Sequence, residues 1–595
     1  MRLSTAPDRD DERAESVIRA ALSAGATLLD TADAYCHDER DVGHNERLVA
    51  RALAGWDGDR AVITVATKGG MRRPNGAWLP DGRAKHLRAA CMASRETLGV
   101  DIIDLYQLHV VDPKTPLPTS VRALAALRDE GIVRDVGLCN VTVNQIREAL
   151  DIVPIASVQV SLSPLDDENL RNGVAEFCRD HDIRILAHRP LGGDRVRQIA
   201  RDEFLSEIAS AHRATPQDVA LAWLMSFGDV VPLPGATRVE TAASLASAIH
   251  ITLSDDERAA LDARFSGRLL RVPRAARRPA RGDGEVAVVM GMPGAGKSVV
   301  ARELESAGHA RLNRDIAGGS LSALAKRVGA MIVAGQRRIV LDNTYATRKS
   351  RNEVIETAWE RGVSVRCVWL TTGVPDAQIN AIRRMIEAHG SLPAPEEIRA
   401  RSRTDSRYLL PDAQFRYERS LEPPSEEEGF ETVEQRSFVR APSAGERRAL
   451  ILDLDDLAGS DGPALRDSLH IAPEWVEALT RRHADGWSLF VFAWRPQVAR
   501  GEITSDDVDA SFASLRRQLG VPMSAGCCPH DAGPPACWCR KPIPGRAIEY
   551  ADGAGVDLAR SVVVGSSTAD RTMSERLGTR FESVDDFLSD AARSE

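Results

Sequence analysis

Short apolar runs rich in β-branched residues alternate along this chain with longer stretches whose apolar positions recur at helical spacing. AVITVAT (61–67), RRIVLDNT (337–344) and ARSVVVGSS (559–567) are examples, each closing on small or polar residues. This alternation predicts an α/β class: parallel sheets with helices packed outside them. The pattern breaks twice. Residues 266–284, SGRLLRVPRAARRPARGDG, hold Arg, Pro and Gly without an apolar period and predict an exposed basic linker. Residues 441–447, APSAGER, form a shorter joint. The segments on either side, 1–265, 285–440 and 448–595, are each of domain size. No internal repeat is evident.

Composition narrows the function classes. A chain of 595 residues exceeds one core. A net charge of −9 excludes a globally basic nucleic-acid binder, so such contacts need a local patch. The N-terminal stretch MRLSTAPDRDDERAE lacks an apolar signal core, and no run of about 18 apolar residues occurs. A cytoplasmic protein without membrane contact is expected. Of the nine cysteines, Cys527, Cys528, Cys537 and Cys539 cluster and five are scattered, which fits a metal site better than a disulfide framework.

The first segment carries polar residues at the ends of apolar runs: Asp30 and Tyr35 in LLDTADAY, Lys68 in ATK, His109 in LYQLH. Such residues would share one rim of a (β/α)8 barrel. Chemically they form a proton-donor set. Lys68 lowers the pKa of Tyr35, Asp30 holds Lys68, and His109 orients a carbonyl. With VGLCN and PLPGATR, these stretches resemble the aldo/keto reductase family over about residues 1–265. The resemblance implies NADP(H), a small carbonyl substrate and Tyr35 as the acid. It also implies Asn140 and Gln159 at the nicotinamide carboxamide, and Arg238 and Ser244 at the adenosine phosphate. Two departures stand out. His188 occupies the position of a stacking aromatic ring. The family's first strand, roughly Leu-Gly-Leu-Gly-Thr-Met before RLS, has no counterpart here; an upstream in-frame start encoding it is expected.

In the second segment, Gly291-x4-Gly296-Lys297-Ser298, with Gly294 inside, follows an apolar run and opens a helical one. That is the phosphate-binding loop. Its amides cradle phosphate, Lys297 reaches the β- and γ-phosphates of ATP, and Ser298 ligates Mg2+. GMPGAGKS, NRD, LDNT, the Ser350–Arg351 pair, NAIRRM and EGF together resemble the kinase domain of polynucleotide 5′-hydroxyl kinases over 285–440. The resemblance implies Asp315 as general base, Arg383 as lid arginine and a 5′-hydroxyl end of DNA or RNA as acceptor.

The third segment opens with an apolar run ending Asp453-x-Asp455. That spacing suits a phosphoaspartate mechanism screened by Mg2+. With Lys541 in CRKP and Asp570 in VVVGSSTAD, it resembles a Rossmann-like haloacid-dehalogenase phosphatase of the histidinol and sugar bisphosphate branch. Asp453 and Asp570 would bind the metal. Ala493, Ser566 and Asp456-Leu457 depart from the family's phosphate and Mg2+ grips, so weak or lost turnover is expected, with an active phosphatase as the alternative. Cys528-x-His530-x6-Cys537-x-Cys539 offers a closed tetrahedral Zn2+ set, with Cys527 as a spare ligand.

The leading expectation is thus ATP-dependent phosphorylation of 5′-hydroxyl nucleic-acid ends, fused to a carbonyl-reductase-like barrel and a weakened phosphatase. The alternatives are carbonyl reduction as the main activity with regulatory rear domains, and an end-binding scaffold. Oligomeric state is not legible.

Overall fold

The computed structural model describes residues 2–280, 282–440, 445–458, 470–533 and 537–592. The chain divides into two compact units, 1–278 and 279–595.

The first unit is built on a parallel sheet whose strands follow in chain order: Leu28–Asp30, Thr64–Gly69, Ile103–Leu108, Val133–Cys139, Ser157–Ser161, Arg184–His188 and Val230–Leu233. Helices intervene, started by caps the sequence supplies. Asp10 accepts from the Arg13 amide, and Thr142–Gln145 and Thr215–Asp218 form reciprocal capping boxes. The main core lies between strands and outer helices; a small inner cluster of Ala66, Leu105 and Leu186 fills the sheet's concave side. Seven strands make up this sheet among the described residues, one fewer than a (β/α)8 barrel has. Leu28–Asp30 and Val230–Leu233 are its two edges. Helix Asp11–Ser23 packs against helix Val239–Ser247, so the flanking layer runs across the side where the strands do not pair.

The expected basic linker is different in form. Up to Arg278 it belongs to the first unit. Short helices Arg268–Arg271 and Arg274–Arg277 present arginines at three-residue spacing. Arg274 Nε and Arg277 Nη2 donate to the two Glu176 carboxylate oxygens at 2.9 and 2.8 Å, Arg271 pairs with Asp262, and Leu270 is buried. The partners lie about 10 to 100 residues back along the chain, which is why a local reading sees only unpaired charge.

The second unit holds two parallel five-stranded sheets. In the first, the strands run in the order Ala310–Leu312, Arg338–Asp342, Glu285–Met290, Ser364–Leu370, Val433–Arg436. In the second they run Met523–Cys528, Trp487–Trp494, Arg448–Asp453, Val562–Gly565, Arg580–Ser583. Each central strand is an almost wholly buried apolar run, as a sheet covered on both faces requires.

Two sequence features quoted separately, Arg351 on helix Arg348–Trp359 and the EGF stretch, meet beside the first of these sheets. Arg351 Nε and Nη2 donate to the two Glu428 oxygens at 2.7 Å each, with both side chains fully buried. Arg351 Nη1 also donates to the Tyr345 and Ala346 carbonyls. Removing one partner of such a pair strands a buried charge. Arg351→Met is therefore expected to cost about 3–5 kcal/mol, read as faster hydrogen exchange in strand Glu285–Met290. The double variant with Glu428→Met should recover most of that loss; equal destabilisation of both would show that the pair is not what holds the sheet.

Candidate functional sites

In the first unit, strand ends converge as parallel topology requires. Lys68, at the end of Thr64–Gly69, is fully buried. Its Nζ donates to Asp30 Oδ2 at 2.6 Å, the Thr31 carbonyl at 2.9 Å and Tyr35 Oη at 3.3 Å. Burial opposes its charge, but the Asp30 carboxylate more than offsets this and holds the pKa above the ordinary lysine value. Asp30 Oδ1 accepts from Gln159 Nε2 at 2.8 Å and Gln107 Nε2 at 3.5 Å. Burial raises the Tyr35 pKa while Lys68 pulls it down. His109 stands edge-on to the Tyr35 ring, centroids 5.6 Å apart; burial, then the Lys68 charge, lowers its pKa to about 3. The imidazole is neutral at physiological pH.

Beside this group, Asn140 Nδ2 donates to the His109 carbonyl at 3.3 Å, and Asn140 Oδ1 meets His188 Nε2 at 3.2 Å. An exposed carboxamide next to a half-buried imidazole suits a flat heteroaromatic ring with a carboxamide substituent. Gln159 donates through Nε2 to Asp30. Arg238 is exposed at the N-cap of Val239–Ser247, which also carries Ser244; its cap position suits an anion. Sequence reading missed Trp78. It closes the site over Tyr35 and His109, centroids 6.4 and 6.2 Å away, and stacks on the buried Arg73 guanidinium at 3.8 Å. The available signal was a lone tryptophan in the Gly/Pro-rich loop that follows Lys68.

In the first sheet of the second unit, residues 291–296 link central strand Glu285–Met290 to helix Lys297–Ser306. Gly294 (φ 90°) and Gly296 (φ 92°) adopt left-handed backbone, and a Cβ at Gly294 would lie 2.2 Å from the Ala377 carbonyl oxygen. Lys297 Nζ donates to the Gly291 and Met292 carbonyls at 3.0 and 2.9 Å; burial lowers its pKa to about 8. Ser298 Oγ donates to Asp342 Oδ2 at 2.9 Å. Asp342 escaped the sequence reading, although it ends the strand paired beside the loop's own strand. Asp315 is exposed, its amide donating to Asn313 Oδ1 at 2.7 Å. Arg383 does not face this group. It pairs with Asp552 at 3.0 Å on helix Gly545–Ala554. Arg384 is the one turned inward: burial lowers its pKa, Asp315 counteracts this, and its Nε is buried without a partner.

In the second sheet, Lys541 Nζ bridges Asp453 and Asp570. Burial raises the Asp453 pKa against the pull of Lys541. Asp570 also caps helix Thr568–Leu577 through Ser567. Asp455 is not a free acid: Arg495 Nη2 and Nη1 hold it at 2.7 and 3.2 Å. Ser566 donates to Asp456, which stands beside Asp570. Cys528, His530, Cys537 and Cys539 place their donor atoms within 4.8 Å of one another. Cys528 Sγ lies 3.8 Å from Cys537 Sγ and 3.6 Å from His530 Nδ1. Metal–sulfur bonds of about 2.3 Å give a tetrahedron edge of about 3.8 Å, so the donor set fits zinc. Cys527 is no spare ligand. Adjacent residues of a strand face opposite sides, and it packs with the other core cluster.

Residues 2–264 match the Aldo/keto reductase family. Aldo-keto reductase str7 of Strobilurus tenacellus is 33% identical over 285 residues, spanning 43% of this chain and 81% of that protein. Aldo-keto reductase yakc [NADP(+)] of Schizosaccharomyces pombe is 30% identical over 278 residues, 41% of this chain and 80% of its own length. Among solved structures, an aldo-keto reductase from Klebsiella pneumoniae in complex with NADPH is 24% identical, covering 43% of this chain and 85% of its own, with a TM-score of 0.37. No helix among the described residues is long and apolar enough to cross a membrane. Through its first unit, with an Asp–Tyr–Lys–His group at the ends of its strands, this chain belongs to the aldo/keto reductase family.

Proposed function

We propose that the principal activity is NADP(H)-dependent reduction of a small carbonyl compound in the first unit. This reverses the order of readings drawn from sequence, where the second segment led. The observation that carries it is the Lys68 ammonium, 2.6 Å from Asp30 and 3.3 Å from the Tyr35 hydroxyl. The nicotinamide, when bound, supplies the hydride. Tyr35 Oη gives its proton to the substrate oxygen, and the Lys68 charge stabilises the phenolate left behind. Neutral His109 orients the carbonyl without competing for its proton. Asp30 keeps Lys68 charged and aimed. Asn140 and His188 would receive the nicotinamide, Arg238 and Ser244 the distal phosphate. Trp78 limits the substrate to what fits beneath an indole. The relative named for NADP(+) supports the cofactor.

A second reading has its own support: ATP-dependent phosphoryl transfer by residues 285–440, with a 5′-hydroxyl nucleic-acid end as acceptor. The Gly-rich loop opens a helix whose Ser298 donates to Asp342, a pair that fits Mg2+. Mg2+ would screen the phosphates; Lys297 turns from the loop carbonyls to them. Asp315 accepts the proton of the attacking hydroxyl. The inward Arg384 clamps the donor phosphates, and Arg383, committed to Asp552, does not. In the third domain, Arg495 on Asp455 supports slow phosphatase turnover through Asp453, and the Cys528–His530–Cys537–Cys539 set would hold Zn2+ structurally.

Tyr35→Phe should lower kcat for NADPH-dependent aldehyde reduction about 10²-fold or more while leaving NADPH binding intact. Turnover equal to wild type removes Tyr35 as the acid.

The buried histidines set a pH dependence. The pKa of His109 is lowered to about 3 and that of His188 to about 4 from an ordinary 6.5, burial being the main cause of both. The unfolded chain binds their protons first, so their contribution is complete above pH 6.5 and fades as pH falls toward those values. The thermal midpoint of the first unit should drop on acidification from pH 7 to 4.5, and drop less in His188→Asn. An identical slope in both proteins would contradict the assignment.

With γ-labelled ATP and 5′-hydroxyl oligonucleotides, Lys297→Ala and Arg384→Ala should abolish or severely reduce labelling, and Arg383→Ala should retain it. The opposite ranking of the two arginines would restore Arg383 to the site.

A further inference from the structure

The helix that follows the nucleotide loop's last core strand, Val374–His389, touches that loop directly. Asn380 Nδ2 donates to the Gly294 carbonyl at 2.9 Å, and the Ala377 backbone closes over Gly294. Further along, Gln414 Nε2 donates to the Pro293 carbonyl at 2.8 Å. Residues 374–414 thus form a lid over the loop, and this stretch carries Arg384. Lids of phosphoryl-transfer sites ordinarily open and close, so their outer faces are solvated. Here the outer face is buried. Ile379, Ile382, Met385, Leu392, Ile398 and Tyr408 join one apolar cluster with Cys528, Cys537, Trp538, Cys539 and Ile548 of the zinc-ligand domain.

Trp538 is the centre of this junction. It sits between two candidate ligands, Cys537 and Cys539, and is 1% exposed. Its indole N–H donates to the Leu409 carbonyl at 2.5 Å, five residues before Gln414. Polar ties flank it: Glu549 accepts from the Leu392 amide at 2.8 Å, and Asp552 holds Arg383 at 3.0 Å. Metal on both flanking thiolates would hold this indole in one orientation; without it, the Leu409 hydrogen bond and the lid packing would loosen.

We infer that Trp538 is a positioning residue that braces the lid, so that metal occupancy of Cys528, His530, Cys537 and Cys539 is linked to order in 374–414 and thereby to nucleotide binding at Gly291–Ser298. The nucleotide consequence rests on the phosphoryl-transfer reading above. The brace rests only on the contacts. Linkage is reciprocal: if metal tightens nucleotide binding, nucleotide tightens metal by the same factor.

The test uses the full chain, zinc-loaded, chelator-stripped and zinc-restored, with metal content measured in each. Hydrogen exchange is followed in 374–414, with strand Glu285–Met290 and the first unit as internal references. Stripping should speed exchange in the lid about tenfold or more while the references hold, and zinc should reverse it. Trp538→Phe, which keeps the apolar bulk and the four ligands, should retain zinc yet loosen the lid at 409–414; Trp538→Ala should loosen it more. Magnesium-ATP should bind the stripped form about 5–150-fold more weakly. Lid protection unchanged both by stripping and in Trp538→Phe would overturn the brace. Failure of zinc-loaded wild type to bind ATP, with Lys297→Ala no different, would instead strike the phosphoryl-transfer reading and leave the exchange data to decide the brace.

Discussion

Placing the Lys68 ammonium wholly out of water would be prohibitive without a carboxylate and further acceptors beside it. Asp30, the Thr31 carbonyl and the Tyr35 hydroxyl meet that demand. The neutralisation fixes where the Tyr35 phenol stands. Gln159 and Gln107 then satisfy the far oxygen of Asp30, tying the group to two further strands of the sheet. Parallel strands make the arrangement possible, since side chains at their carboxyl ends share one rim. The neutral His109 follows from the same charge and from its burial.

The second unit solves a related problem twice. Strand ends again gather charge: Lys297 with Asp342 in one sheet, Asp453 and Asp570 around Lys541 in the other. In the first, Lys297 rests on the Gly291 and Met292 carbonyls, and Asp342 is held by Ser298 and Arg311. In the second, Lys541 is held between two carboxylates and Arg495 occupies Asp455, so the charges satisfy one another.

Much of the candidate chemistry was legible because it depends on local order. A strand followed by a Gly-rich turn and Lys-Ser announces itself within a dozen residues, as do Tyr35, Lys68 and His109 at the ends of apolar runs. What failed to show was direction. Arg383 and Arg384 are neighbours in sequence and differ by about 100° around a helix; only the packing of that helix within the second unit decides which one turns to Asp552 and which toward Asp315. Trp78 offered only a lone tryptophan in a Gly/Pro-rich loop, and Asp342 only a strand end, neither of which says what it faces. The arginines after residue 266 looked solvated because Glu176 and Asp262, which hold them, lie elsewhere in the chain.

The sequence by itself determined the α/β class, most strands and their polar ends, the Gly-rich turn before Lys297 and the Cys/His cluster, since each follows from periodicity, turn chemistry or spacing over short range. Only the tertiary structure decided the pairing of charges: Arg351 with Glu428, Arg383 with Asp552, Arg495 with Asp455, and Trp538 beneath the lid. The reason is physical. Which charges are compatible with burial depends on what stands within a few ångströms, and across a parallel sheet those neighbours come from strands and helices far apart in the chain.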